Sequence, residues 1–246
     1  MKKLLSAAAA ATALLGIGGM TSAAHAEGTF SGNIAMTTDY VFRGLTQTDG
    51  PAIQGGFDYA NGMFYAGTWG SNVNFGNNME LDLYAGVKPV TGPVSWDLGV
   101  IGYLYPGSDP SPTFDYVEFY AKPSISVAEG LTLGGALYYS PDFTGETGNA
   151  YYVEGNAAFA PTKELSFSGA VGYQQVDDLT TKTKPGYFTV TDPSDDGYLT
   201  WNVGGTYTVS GFALDLRYIG TDIDEKALFG GDYSDDKVVF SIKRAL

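Results

Sequence analysis

The sequence predicts an all-β chain: an up-and-down transmembrane β-barrel of about twelve antiparallel strands, with both termini periplasmic. Three observations predict it. Apolar and polar residues alternate with period two in segments that recur roughly every 15–20 residues, bounded by Gly, Pro, Asn and Asp. The connections between segments alternate between long and short. Only 16% of the 246 residues are charged, while Phe, Trp and Tyr number 35 and Gly 34; a soluble domain carries roughly 25% charged residues.

The first segment, 29–42, sets Phe30, Ile34, Met36, Tyr40 and Phe42 against Ser31, Asn33, Thr37 and Asp39. The second, 52–59, sets Ile53, Phe57 and Tyr59 against Gln54 and Asp58, and the third, 63–70, places Met63, Tyr65 and Trp69 on one face. The fourth, 79–88, opposes Met79, Leu81, Leu83 and Val87 to Glu80, Asp82, Tyr84 and Lys88. The fifth, 94–105, opposes Trp96, Leu98, Val100 and Leu104 to Ser95 and Asp97. The sixth, 114–125, opposes Val117, Phe119 and Ala121 to Tyr116, Glu118, Tyr120 and Lys122. The seventh, 131–140, aligns Leu131, Leu133, Leu137 and Tyr139; the eighth, 151–160, opposes Val153, Ala157 and Phe159 to Glu154 and Asn156. The ninth, 165–175, opposes Leu165, Phe167, Val171 and Tyr173 to Ser166, Ser168 and Gln174. The tenth, 198–209, opposes Leu199, Trp201, Val203, Tyr207 and Val209 to Thr200 and Asn202. The eleventh, 212–219, opposes Phe212, Leu214, Leu216 and Tyr218 to Asp215 and Arg217, and the twelfth, 236–246, opposes Val238, Phe240 and Ile242 to Ser241 and Lys243.

Long connections follow odd segments: 43–51, 71–78, 106–113, 141–150, 176–197 and 220–235. Short ones follow even segments: 60–62, 89–93, 126–130, 161–164 and 210–211. An outer-membrane barrel has short periplasmic turns and longer external loops. Aromatics gather at both segment ends, as two interfacial belts require. Tyr40, Phe42, Trp69, Tyr105, Phe114, Tyr139, Tyr151, Tyr173, Tyr198 and Tyr218 face the long loops; Phe30, Tyr59, Tyr65, Trp96, Phe159, Phe167, Tyr207 and Phe212 face the short turns. A soluble β-sandwich also alternates, but it needs more surface charge and its connections do not segregate by length.

Residues 1–26 read as a cleaved signal peptide: Lys2 and Lys3, an apolar run from Leu4 to Leu15, then Ala24-His25-Ala26 as the cleavage site. The apolar run is too short for a membrane anchor, which needs about twenty residues. The barrel domain is then 27–246. Cleavage takes the only histidine and leaves 11 basic against 27 acidic residues, a formal charge of −16. Without Cys or His the domain lacks thiolate and imidazole nucleophiles or bases and the commonest zinc ligands. No catalytic residue, cofactor or metal site is expected, and the chain reads as a non-enzyme. Acidity argues against nucleic acid as a partner.

From Asp39 to Gln47 the chain reads Asp-Tyr-Val-Phe-Arg-Gly-Leu-Thr-Gln; Pro51 to Tyr59 reads Pro-Ala-Ile-Gln-Gly-Gly-Phe-Asp-Tyr; Gly67 to Val73 reads Gly-Thr-Trp-Gly-Ser-Asn-Val. In combination these stretches resemble the TorF-type porin family of proteobacterial outer-membrane proteins. The resemblance is sharp in the first third of the domain. It implies an outer-membrane barrel and suggests a pore, with no substrate attached.

With the apolar faces turned to lipid, the inward face carries Asp39, Asp58, Glu80, Asp82, Asp97, Glu118, Glu154 and Asp215, with Lys88, Lys122, Arg217 and Lys243. Arg43 stands at the upper rim, where it pairs an inward carboxylate such as Asp39 or Asp58, forms part of a constriction, or holds a lipopolysaccharide phosphate. The acidic excess favours cations in a water-filled lumen; the alternative is a salt-bridged, closed lumen. Acidic stretches at 192–197, 222–225 and 232–237 fit solvated loops better than calcium sites. The glycine pairs at 55–56, 134–135 and 204–205 are expected to allow strand curvature. The function expected is a porin-like channel for passive diffusion of small solutes, with outer-membrane lipid and lipopolysaccharide as its surroundings. The alternative is a non-conducting structural or adhesive surface barrel that uses the 176–197 and 220–235 loops. The oligomeric state is left open.

Overall fold

A computed structural model describes residues 28–75, 78–108, 113–177, 197–223 and 233–246. Twelve long strands make up one closed antiparallel barrel: β1 (Thr29–Thr37), β2 (Ala52–Asn61), β3 (Phe64–Asn72), β4 (Met79–Val87), β5 (Val94–Leu104), β6 (Tyr116–Ala128), β7 (Leu131–Ser140), β8 (Ala150–Phe159), β9 (Leu165–Val176), β10 (Gly197–Val209), β11 (Phe212–Thr221) and β12 (Lys237–Ala245). Each pairs with its sequence neighbours, and β12 returns to β1 with Asn33 opposite Ala245 and Thr37 opposite Ser241. Closure leaves no free edge to recruit another strand. The expected signal peptide and most of the two longest loops lie outside the described residues.

The burial pattern is inverted relative to a soluble protein. Phe57, Leu83, Phe119, Val171, Val203 and Leu216 are exposed, whereas Glu80, Asp82, Glu118, Glu154 and Gln174 are buried. Apolar side chains gain nothing by facing water but are compatible with lipid, while backbone polar groups are satisfied within the closed ladder. Val171 sits mid-strand in β9, 59% exposed. Val171→Arg is expected to cost about 2–4 kcal/mol in a bilayer, read from urea unfolding in phospholipid vesicles. A loss below about 0.5 kcal/mol would mean that this face meets water.

Three local expectations are corrected. The first strand ends at Thr37, not 42, because the chain then turns into the barrel. On β3 the faces are swapped: Phe64 and Ala66 are exposed, while Tyr65 and Trp69 point inward. Tyr65 carries a hydroxyl that needs a partner and finds one in Asp97. Tyr40, Phe42, Trp69, Tyr105 and Phe114 leave the expected long-loop belt and pack together inside, as Tyr65 leaves the short-turn belt. Phe30, Tyr59, Phe159, Phe167, Tyr207 and Phe212 remain exposed at the short-turn end.

Glycine shapes the interior by close approach. A Cβ on Gly172 would lie 2.2 Å from the Tyr152 hydroxyl, and one on Gly67, Gly86 or Gly99 would lie 2.5 Å from an atom of Tyr84, Tyr65 or Tyr120. Inward tyrosines thus lie flat over cross-strand glycines. Gly55, Gly56 and Gly204 instead face carbonyl oxygens of adjacent strands at 2.5–2.8 Å from a would-be Cβ.

Candidate functional site

The bore of the barrel is the candidate site, and its decisive element is the segment 38–51 folded into it. Thr37 Oγ1 donates to the Asp39 carbonyl at 2.8 Å, turning the chain off the wall. Val41 then pairs with Thr46 and Phe42 with Leu45. Arg43 (φ 47°) and Gly44 (φ 85°) form the two-residue turn between them, the double positive φ that a tight hairpin requires. For a non-glycine residue this backbone costs about 1–2 kcal/mol, so Arg43 must be held in place.

Its side chain does this. Arg43 Nη1 donates to Glu118 Oε1 and to Gln174 Oε1, and Nη2 donates to Glu118 Oε2, each at 2.7 Å. The guanidinium carbon lies 4.7 Å from the Phe42 ring centre, 4.8 Å from Tyr138 and 4.4 Å from Tyr152. Both side chains of the ion pair are 2% exposed. A bidentate guanidinium–carboxylate pair is the strongest geometry available to two side chains.

The hairpin tip crosses the bore. On one side Phe42 meets Tyr103 of β5 edge-on, with ring centres 5.8 Å apart. On the other, Gly44 abuts Thr200 of β10 and Thr221 of β11; a Cβ there would lie 2.1 Å from Thr221 Cγ2. β5 and β11 are six strands apart in a ring of twelve, so these contacts fall on opposite walls. The base of the segment is tied by Thr46 N–H to the Tyr233 carbonyl (2.9 Å) and by Asn74 N–H to the Gln47 carbonyl (2.7 Å). Lys237 Nζ adds an ion pair to Asp39 at 3.5 Å.

Beside the hairpin, Glu80 accepts from Tyr40 (2.7 Å) and Tyr105 (2.6 Å). Burial and the Glu80 carboxylate hold the Tyr40 phenol well above its ordinary range, which keeps it a donor. Asp82, 2% exposed, has one carboxylate oxygen with no hydrogen-bond partner.

Further inside, the charges are held by ion pairs or by neutral hydrogen-bond donors. Asp97 accepts from Tyr65 and faces Lys122 Nζ at 3.4 Å. Asp58 accepts from Tyr84 at 2.8 Å. Arg217 donates to Asp215 at 3.2 Å, to Asn202 at 2.6 Å and to Ser168 at 2.9 Å. Glu154 accepts from Tyr152 (2.8 Å) and Asn156 (2.9 Å). Lys88 sits exposed at the rim, its Nζ 4.5 Å from the Tyr65 ring centre.

Of the residues predicted to face inward, Glu80, Asp82, Glu118, Glu154 and Arg217 are buried inside, and Asp39, Asp58, Asp97, Lys122 and Asp215 are half-buried. Arg43 is corrected in both place and partner. It is buried inside the long-loop end of the bore rather than free at the rim, and the inward carboxylate it pairs is Glu118 rather than Asp39 or Asp58. Gln174, Tyr138 and Tyr152 were legible as inward residues by their phase, but nothing local marks them as arginine contacts.

A model of a family described as "Bacterial protein of unknown function (Gcw_chp)" matches residues 21–246. No curated protein matches the chain at a significant level. Among solved structures, the chain is similar to a KdgM porin in complex with disordered oligogalacturonate, at 8% identity and TM-score 0.55, covering 88% of this chain and 98% of that one. It is also similar to a porin refined at 1.8 Å (10% identity, TM-score 0.42, 89% and 100% covered). A third is the outer-membrane channel DcaP of Acinetobacter baumannii (11% identity, TM-score 0.44, 94% and 100% covered). The likeness to the KdgM porin shows a shared fold, a porin-like β-barrel.

Proposed function

The chain belongs to the Gcw_chp family, and from its porin-like barrel we propose that it is an outer-membrane channel for passive diffusion of small cationic or neutral solutes. The observation that carries this reading is the polar, carboxylate-rich interior enclosed by an apolar exterior. Desolvating a charge costs several kcal/mol per ion, so an interior carrying this many carboxylates is most easily sustained where some of them meet water or solute. The TorF-type reading of Asp39 to Val73 points the same way. In this reading residues 1–26 are a cleaved signal, the short turns and both termini are periplasmic, and no cofactor or catalytic group takes part.

The inward carboxylates outnumber the inward cations among the described residues. An interior of this sign attracts cations and repels a polyanion, so the oligogalacturonate of the KdgM complex is a poor model for its solute. A hairpin across the bore restricts any path through it, which in this reading implies a small unit conductance.

In planar bilayers the purified barrel is expected to give discrete, small conductance steps, and a KCl gradient should produce a reversal potential of the sign for cation preference. Anion preference would overturn the selectivity. The absence of steps from a folded barrel would favour the second reading, a non-conducting surface barrel, which the hairpin spanning the bore supports.

A further inference from the structure

The contacts around Arg43 describe a receptor as well as a structural pair. They comprise a carboxylate offering both oxygens in one plane, an amide oxygen at the side, and the faces of Tyr138 and Tyr152. Glu118 projects from β6, Tyr138 from β7, Tyr152 from β8 and Gln174 from β9. These four groups are carried by the strands of the barrel wall, and the hairpin contributes none of them. Only Phe42 among the aromatic neighbours arrives with Arg43 itself.

We infer that this wall cradle is a binding site for guanidinium-bearing solutes, and that Arg43 is a tethered ligand which occupies it when no solute does. The inference rests on the channel reading above and names its solute class. Four features support guanidinium over a compact cation. The carboxylate is engaged through both oxygens, which a planar fork matches and a point charge does not. The two tyrosine faces lie within the distance at which a ring quadrupole attracts a flat cation. The amide oxygen of Gln174 takes a further N–H of the same fork. Finally, Glu118 has a second donor in Tyr103 at 3.1 Å, which keeps its carboxylate oriented when the arginine leaves.

The carboxylates beside the cradle suit such a solute. Glu80 and Asp82 stand there as further carboxylates, and one Asp82 oxygen lacks a hydrogen-bond partner that an entering N–H could supply. A guanidinium entering there meets the cradle as a competitor of Arg43. Displacing the arginine removes what holds its left-handed backbone, and the hairpin loses its main anchor to β6 and β9. Binding of the solute and opening of the bore are then one exchange: one guanidinium replaces another on Glu118.

The test uses the full barrel in detergent and in planar bilayers, with methylguanidinium chloride as the probe and sodium chloride at equal ionic strength as the reference. In Arg43→Ala, methylguanidinium should raise the thermal midpoint saturably, where sodium does not, and Arg43→Ala/Glu118→Gln should bind it roughly tenfold or more weakly, the loss of a charged hydrogen-bond acceptor. In the unaltered protein, millimolar methylguanidinium should increase the time spent in conducting states; this arm stands even if Arg43→Ala does not fold. A midpoint that responds equally to sodium, or an affinity unchanged by Glu118→Gln, would overturn the cradle. Saturable stabilisation of Arg43→Ala in a barrel that never conducts would keep the cradle and overturn the channel reading. Conduction indifferent to methylguanidinium in the unaltered protein would overturn the exchange.

Discussion

Replacing Arg43 with alanine is expected to raise single-channel conductance severalfold and to cost the barrel about 3 kcal/mol, the lower end of what breaking a buried ion pair costs. The pair is 2% exposed on both sides, so removing the cation strands Glu118. The loss stays at the lower end because water entering the emptied bore rehydrates part of that carboxylate. Urea is the denaturant for this measurement, since guanidinium chloride would supply the cradle with a ligand. Arg43→Met/Glu118→Leu separates stability from conduction. Apolar residues of similar volume commonly replace a buried pair at little cost, so this variant should recover most of the stability. It should nonetheless stay more conductive than the unaltered protein, because the anchor is gone. Unchanged conductance in both variants would mean that the hairpin is held by its base, through Thr46, Asn74 and Lys237, rather than by its tip.

Gly44→Val is the second large effect, reached from the opposite wall. At φ 85° a β-branched residue is strained, and its Cβ would lie 2.1 Å from Thr221 Cγ2 and 2.8 Å from Thr200 Oγ1. Keeping the hairpin seated would cost about 2–4 kcal/mol from left-handed strain and overpacking together. Unseating it relieves both terms, so the hairpin is expected to leave the wall. The chain has no cysteine, which makes a single Leu45→Cys a clean reporter: Leu45 is 7% exposed on the hairpin. An impermeant maleimide should label Leu45→Cys slowly, and Leu45→Cys/Gly44→Val many times faster. Equal labelling rates would show that Gly44 is not a contact on which the seat depends.

Alternation along the chain was enough to find the strands and most of their faces. On β4, β6, β8 and β9, carboxylates and glutamine recur in phase opposite Leu83, Phe119, Val153 and Val171, and period-two geometry alone sends them inward. The inward tyrosines were legible by the same phase: Tyr116 and Tyr120 flank Glu118 at spacing two. The rule failed where side chains are amphipathic. Tyr65 and Trp69 count as apolar in a pattern, yet each has a polar group, and the interior offers Tyr65 the partners Asp97 and Tyr120. It failed again at 38–46, where apolar alternation continues through Tyr40 and Phe42 although the chain has left the wall.

The sequence by itself determined the class of the molecule: a barrel with lipid outside and charge inside. That follows from a local rule, since each strand must sort its own residues between two solvents. Only the tertiary structure decided what the inside does. Arg43 lies 75 residues from Glu118 and 131 from Gln174 in sequence, and no local pattern encodes a contact of that range. It arises because closure of twelve strands brings β6 and β9 around one bore, and because a turn with two positive φ values points the arginine down it. An arginine that the sequence left between a rim charge, an ion pair and a constriction thereby becomes the pin of a plug, held by whichever carboxylate the barrel's curvature sets within its reach.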